Sequence, residues 1–129
     1  MKLPDSVRRL IDEPNFAFVA TLMKDGSQQV TPVWVDRDND FILVNTAEGR
    51  VKTKNVKRDP RVAVSIADRN NPYSMCTIRG KVVEIIEKGA DAHIDKLAKK
   101  YLGKEKYPWK SATEKRLILK IEPTKISGY

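Results

Sequence analysis

The stretch Asn45–Arg61, N-T-A-E-G-R-V-K-T-K-N-V-K-R-D-P-R, lies between two apolar runs and decides the fold. The runs Phe41–Val44 before it and Val62–Ile66 after it predict strands. The segment Thr46–Gly49 contains turn and helix-start residues, and Asp59-Pro60 is a stop signal because a residue before proline avoids helical geometry. The stretch therefore predicts a strand, a turn, a helix of about two turns and a second strand.

The predicted helix and its flanks are strongly basic. The basic residues of this stretch are Arg50, Lys52, Lys54, Lys57, Arg58 and Arg61. A helix start offers free backbone N–H groups and the positive end of the helix dipole, and both suit a phosphate. A solvated basic face beside two core strands is the alternative interpretation, and charge alone does not separate the two.

Composition limits the class of protein. The 129 residues, 40% of them hydrophobic, are typical of one globular domain over residues 1–129. No apolar run approaches membrane-spanning length and the N-terminus lacks the apolar region of a signal peptide, so we expect a cytoplasmic protein with no membrane partner. The net charge of +8 predicts an anionic partner, either nucleic acid or a phosphorylated cofactor. Cys76 is the single cysteine, so neither an intrachain disulfide nor a cysteine-clustered metal site is expected.

Hydrophobic patterning predicts two further helices, near Val7–Ile11 and over Lys88–Leu102, and six strands. The predicted strands are Asn15–Met23, Gln28–Asp36, Phe41–Asn45, Arg61–Ala67, Tyr73–Glu87 and Arg116–Ile121. Asp25-Gly26 predicts a hairpin, Pro32 predicts a bulge or unpaired edge, and Pro123 is expected to end the last strand. Hairpin connections make the sheet mostly antiparallel, so the predicted fold is a small α+β barrel.

The segment Thr46–Val62 resembles the phosphate-binding segment of the pyridoxamine 5′-phosphate oxidase-like flavoproteins. That family pattern is a turn ending in Thr/Ser-Gly-Arg/Ser, a Lys, an Asn or Gln three residues on, and Asp/Asn-Pro-Arg-Val opening the next strand. The nearest resemblance is to the branch that uses the deazaflavin coenzyme F420, and it covers nearly all of the chain. It implies a six-stranded split β-barrel of the FMN-binding type with short flanking helices, and a homodimer with the cofactor at the subunit interface.

The resemblance also implies a cofactor site of ten residues. They are Thr31, Pro32, Val33, Trp34, Asn45, Thr46, Arg50, Lys52, Lys54 and Asn55. Lys52 would contact the cofactor phosphate beside Arg50 and Asn55, and Lys54 would reach the glutamate tail of F420. The segment Thr31–Trp34 would hold the ring, because a strand interrupted by proline leaves backbone polar groups free. Core packing is the alternative role for Trp34.

The implied activity is hydride transfer between F420 and an unidentified small molecule. The cofactor carries that chemistry, so no catalytic side chain is predicted. An FMN-dependent oxidoreductase of the same fold, a non-catalytic flavin- or anion-binding module and a haem-handling relative are the alternatives. Nucleic-acid binding is disfavoured because the basic stretch contains no aromatic residue.

Two departures from the family pattern favour F420 over FMN. Ser74-Met75 stands where the FMN-dependent oxidases carry a Gln or an Arg-Gln pair, and Lys120–Tyr129 contains no arginine motif for pyridoxal phosphate. Pyridoxamine phosphate oxidase activity itself is therefore not expected. His93 is predicted to be a surface or helix-packing residue and Cys76 a buried one, while a partner subunit is expected to supply Tyr107 and Trp109.

Overall fold

Three helices and seven strands follow one another along residues 1–129, all of which the computed structural model describes. The helices are α1 Asp5–Asp12, α2 Val51–Arg58 and α3 Ala90–Leu102. The strands are β1 Ala17–Leu22, β2 Gln28–Val33, β3 Asp36–Asp38, β4 Phe41–Ala47, β5 Arg61–Ala67, β6 Met75–Ile86 and β7 Arg116–Ser127. None of the helices has the length and apolar character that crossing a membrane requires.

All seven strands form one antiparallel sheet in the order β2-β1-β5-β6-β7-β4-β3. The α+β class and the antiparallel pairing are confirmed, and the two end strands are not paired with each other, so the sheet is open. The count of six strands was wrong. The run Gln28–Asp36 is not one strand, because the chain leaves β1 after Val33 and pairs with β4 from Asp36 onward.

Strand β7 is longer than the sequence indicates. Pro123 was expected to end it, yet the strand continues to Ser127. Pro123 pairs with Gly80 at a shift of register, and an irregularity in a ladder is where a residue without an N–H can be accommodated. Gly80 is needed there, because a Cβ at this position would overlap the carbonyl oxygen of Glu122.

The core lies between α1 and the sheet. Seventeen buried apolar residues form one cluster, to which α1 contributes Val7, Leu10 and Ile11. Cys76 belongs to this cluster, and burial raises the pKa of its thiol to about 11. The thiol is therefore buried, as predicted, and remains protonated at neutral pH.

Helix α2 confirms the central prediction from the sequence. It begins after Arg50 without a side-chain cap and ends before Asp59, whose N–H donates to the Asn55 carbonyl at 2.8 Å. Thr46 does not cap it but lies in β4, and Thr53 Oγ1 fixes the helix to that strand by donating to the Ala47 carbonyl at 2.8 Å. The first turn of α2 thus stays uncapped beside the end of β4.

Candidate functional site

A cavity of about 290 Å³ lies between β2, the end of β4, the start of α2 and the loop before β7. Eight of the ten residues predicted for the cofactor site line it. They are Thr31, Pro32, Val33, Trp34, Asn45, Thr46, Arg50 and Lys52. Antiparallel pairing and the short turn between β4 and α2 bring these two separate segments of sequence to one place.

Lys52 gives the cavity its cationic end. Only 8% of the residue is exposed, and its ammonium group forms no hydrogen bond or ion pair with the protein. Burial lowers the pKa of Lys52 below its ordinary value, and the neighbouring charges of Arg50 and Arg116 lower it further. A buried charge without a partner is unfavourable, so this end of the cavity suits an anion.

Arg116 is a cavity residue that the sequence did not reveal. It is 8% exposed, its Nε donates to Asn45 Oδ1 at 2.9 Å, and its guanidinium lies 5.3 Å from the Tyr107 ring centre. Glu114 accepts from Arg116 and, at 2.9 Å, from Arg50 Nη2, and these bonds lower the pKa of Glu114. Arg50 and Arg116 thus share one carboxylate, and Lys52 has none, which leaves positive charge for a ligand.

The opposite end of the cavity is formed by β2, an end strand of the sheet that pairs only with β1. The prediction of an unpaired edge at Pro32 is therefore confirmed. Thr31 Oγ1 is buried and has no hydrogen-bond partner in the protein. Because buried hydroxyl groups are nearly always paired, this one is available to a ligand.

Aromatic rings form one wall. The Trp34 ring stacks on Tyr101 with 5.3 Å between centroids and meets Tyr107 edge-on at 5.9 Å. Trp109 packs against both Trp34 and Tyr107. Trp34 therefore has a packing role and a cavity-lining role, and Tyr107 and Trp109 reach the cavity of their own chain without a partner subunit.

The family model for pyridoxamine 5′-phosphate oxidase matches residues 3–129. The chain belongs to the pyridoxamine 5′-phosphate oxidase family. An F420 reductase structure is 28% identical to this family member, with a TM-score of 0.85 over 98% of this chain and 100% of the other. No curated protein sequence matches the chain.

Two more distant structures share the fold. A Listeria innocua protein described as a candidate pyridoxamine 5′-phosphate oxidase is 17% identical, with a TM-score of 0.73 over 95% of this chain and 94% of its own. HupZ from Group A Streptococcus is 19% identical, with a TM-score of 0.66 over 96% of this chain and 91% of its own. At these identities the likeness extends to the fold alone.

Two of the ten residues predicted for the cofactor site lie outside the cavity. Lys54 is exposed on α2. Asn55 is buried, but it faces β1, where its Nδ2 donates to Thr21 Oγ1 at 3.0 Å and its Oδ1 accepts from Arg58 at 2.9 Å. Asn55 lies almost one helical turn beyond Lys52, and the structure gives it a role in fixing α2 to β1.

Asn55→Ala is expected to lower the free energy of unfolding by about 1–3 kcal/mol, because it removes buried hydrogen bonds and leaves Thr21 without its donor. Urea unfolding measures this change. Cofactor affinity of the folded variant should stay within about twofold of the wild type, because Asn55 does not reach the cavity. Lys54→Ala, a change at an exposed neighbour, should not alter the free energy of unfolding. A large loss of affinity in Asn55→Ala at unchanged stability would show that Asn55 is a ligand after all.

His93 packs on the inner face of α3, consistent with a helix-packing role, but it also has polar partners that the sequence did not indicate. Its Nδ1 lies 3.1 Å from Asn45 Nδ2 and its Nε2 lies 3.0 Å from Asp36 Oδ2. Burial favours the neutral form of Asp36, but the hydrogen bonds from His93, the Arg37 backbone and Lys96 prevail and lower its pKa. The histidine therefore connects an ionised carboxylate with a residue that lines the cavity.

Proposed function

We propose that this protein is an oxidoreductase that transfers a hydride between coenzyme F420 and a small molecule. The phosphorylated chain of the coenzyme lies at Arg50, Lys52 and Arg116, and its ring lies along Thr31–Trp34. One observation carries the proposal: a buried lysine without a partner ends a cavity whose other end is an open strand edge. An F420 reductase with 28% identity over nearly the whole chain supports the choice of coenzyme.

The charges fit this ligand. F420 carries a phosphodiester and a tail of glutamates, and the cavity offers three cations against the single carboxylate of Glu114. The uncapped first turn of α2 adds backbone N–H groups to the cationic end. Lys54, exposed on the same helix, is placed to meet the glutamate tail where that tail leaves the cavity.

The coenzyme supplies the hydride chemistry when bound, and the protein binds and orients it. Thr31 Oγ1 has free hydrogen-bonding capacity for the polar edge of the ring, as do the outward backbone groups of β2. The aromatic wall of Trp34, Tyr107 and Trp109 limits water at the reacting face. No protein side chain is assigned a catalytic proton transfer.

FMN is the second candidate, because its phosphate suits the same cationic end. We propose a cytoplasmic homodimer with the split-barrel arrangement. The outer face of the β1–β2 hairpin supports the dimer: Phe16, Phe18 and Val30 are 53%, 49% and 57% exposed, and apolar exposure of this kind marks interaction surfaces. Phe16 also lines the cavity, which places the cofactor next to that interface.

Titration with F420 and with FMN tests the function. The two tryptophans of the chain both line the cavity, so quenching of their fluorescence reports binding. We expect F420 to bind with micromolar affinity or better and more tightly than FMN. If FMN binds more tightly, the second candidate replaces the first; if neither binds, the proposed function is wrong. If F420 binds but the protein catalyses no oxidation of reduced F420 by any acceptor, the protein is a binding module without turnover.

Alkaline pH is expected to weaken F420 binding. The anion binds the protonated form of Lys52, and because the pKa of Lys52 is lowered in the folded protein, that form is lost as pH rises through this lowered value. Dissociation constants measured from about pH 7 to pH 10 should therefore rise. In Lys52→Arg, whose side chain stays protonated, the rise should be absent, and an equal rise in both proteins would contradict this assignment.

A further inference from the structure

A chain of hydrogen bonds runs from the cavity into the protein behind it. Arg116 Nε donates to Asn45 Oδ1 at 2.9 Å, and Asn45 Nδ2 donates to the Ala90 carbonyl at 2.9 Å. The same Nδ2 lies 3.1 Å from His93 Nδ1, and His93 Nε2 lies 3.0 Å from Asp36 Oδ2. Both ring nitrogens of the only histidine in the sequence are therefore engaged.

The chemistry of the partners fixes the orientation of each group. A guanidinium can only donate and a carbonyl can only accept, so Asn45 must present its oxygen to Arg116 and its NH₂ to Ala90. That NH₂ group then faces His93 Nδ1, which must act as the acceptor. The ionised carboxylate of Asp36 accepts in turn, so Nε2 carries the hydrogen.

We propose that His93, held as the neutral Nε2–H imidazole, is a positioning residue that keeps Arg116 at the anionic end of the cavity through Asn45. Protonation of His93 Nδ1 releases Arg116 and weakens anion binding. This inference rests on the proposed function only in requiring an anionic ligand at that end. Arg116 needs such a holder because its other contacts, Glu114 and the Tyr107 ring, belong to the loop before β7.

Protonation disrupts the chain because Nδ1–H would point at the NH₂ group of Asn45. Rotating the amide to offer its oxygen would turn the NH₂ group toward Arg116 Nε and the oxygen toward the Ala90 carbonyl. Two hydrogen bonds, from Arg116 to Asn45 and from Asn45 to Ala90, would thus be lost for one gained. Arg116 would be left with Glu114 and Tyr107 alone.

Charged groups of three elements act on His93. Asp36 on β3 favours the imidazolium, whereas Arg116 on β7, connected through Asn45, disfavours it. Lys96 on α3, with its Nζ 3.1 Å from Asp36 Oδ2, also disfavours it and partly neutralises that carboxylate. On β4 the facing group is the uncharged Asn45, whose donor opposes a proton on Nδ1. Any proton on His93 Nδ1 is therefore coupled to Arg116 through Asn45.

Nitrogen NMR of the protein without any cofactor tests the inference independently of the proposed function. With one histidine, the imidazole signals need no assignment by mutation. At neutral pH we expect a protonated Nε2 and an unprotonated Nδ1, together with slow hydrogen exchange at Arg116 Nε. The protection of Arg116 Nε, measured against its intrinsic exchange rate at the same pH, should fall about tenfold as His93 becomes protonated. An Nδ1–H tautomer, or exchange that does not follow His93, would overturn the inference.

Binding of F420 provides the functional readout. At an acid pH where the NMR signals show that His93 is protonated, the wild-type affinity should be about tenfold lower than at neutral pH. His93→Asn has an amide oxygen that can accept from Asn45 and cannot titrate, so its affinity at neutral pH should be retained and its acid-side fall should be absent. His93→Leu has no acceptor and should bind about tenfold more weakly at both pH values.

The matched control is Lys99→Ala, which removes an exposed charge from the same helix and should behave as the wild type. An acid-side fall that persists unchanged in His93→Asn would overturn the inference. If His93→Leu does not fold, comparing the wild type with His93→Asn still decides. If F420 does not bind, the proposed function fails while the tautomer and the Arg116 exchange still test the role of His93.

Discussion

Lys52→Met is expected to weaken F420 binding about a hundredfold or more and to leave the fold intact. Methionine keeps a long flexible side chain in the same space but removes the charge that meets the phosphate. Losing one member of a buried charged pair weakens binding by about 2–5 kcal/mol. A loss of about 2.8 kcal/mol raises the dissociation constant about a hundredfold. Titration with F420, followed by tryptophan fluorescence, measures the loss.

The free energy of unfolding of Lys52→Met should not fall with its affinity for F420. In the protein without cofactor the Lys52 side chain is largely buried and its ammonium has no partner in the protein, so its removal should leave stability unchanged or raise it. Lys54→Met is the comparison: Lys54 is exposed on the same helix and would meet only the solvated glutamate tail, so a much smaller loss of affinity, under about tenfold, is expected. An affinity that is equal in the wild type and in Lys52→Met would remove Lys52 from the site; a loss of affinity that merely follows unfolding would show a structural role instead.

Gly80→Ala is expected to destabilise the protein by about 1–3 kcal/mol or more, measured by urea unfolding. The added Cβ would overlap the Glu122 carbonyl oxygen in the adjacent strand, and a backbone atom cannot move aside as a flexible side chain can. The pairing of β6 with β7 would have to open at Pro123 to relieve the overlap.

Gly26→Asn is the control for this change. Gly26 has a φ of +88° in the β1–β2 turn, and a Cβ there would meet no atom within 4 Å. Asparagine tolerates that conformation, so a loss of under about 1 kcal/mol is expected. Equal losses in the two variants would show that the close approach of Glu122 to Gly80 does not determine the stability of the β6–β7 pair.

Local signals in the sequence predicted the parts of the fold that depend on neighbouring residues. Asp59-Pro60 marked the end of α2, and Asp25-Gly26 marked the hairpin between β1 and β2. The errors arose where strand pairing, and not the hydrophobic pattern, sets the bounds of a strand. Strand β3 is separate from β2 because Asp36 pairs with Leu43 in the next hairpin. Strand β7 continues past Pro123 because the distant Gly80 allows a shifted register.

The same distinction applies to the site. Eight predicted residues reach the cavity because they lie on two short segments, each of which forms its structure locally. Arg116 and Asn45 are 71 positions apart, and His93 and Asp36 are 57 apart, so only the assembled sheet and helix bring them together. Asn55 was predicted to reach the cavity because it shares a face of α2 with Lys52. That face contacts the cavity at Lys52 and strand β1 at Asn55.

The crystal structure of the protein with F420 bound tests the central claim most directly. We predict that the phosphodiester lies within hydrogen-bond distance of Lys52 Nζ, with Arg116 beside it and the ring along Thr31–Trp34. A coenzyme bound elsewhere on the protein, with the Lys52 ammonium still unpaired in its cavity, would contradict the account.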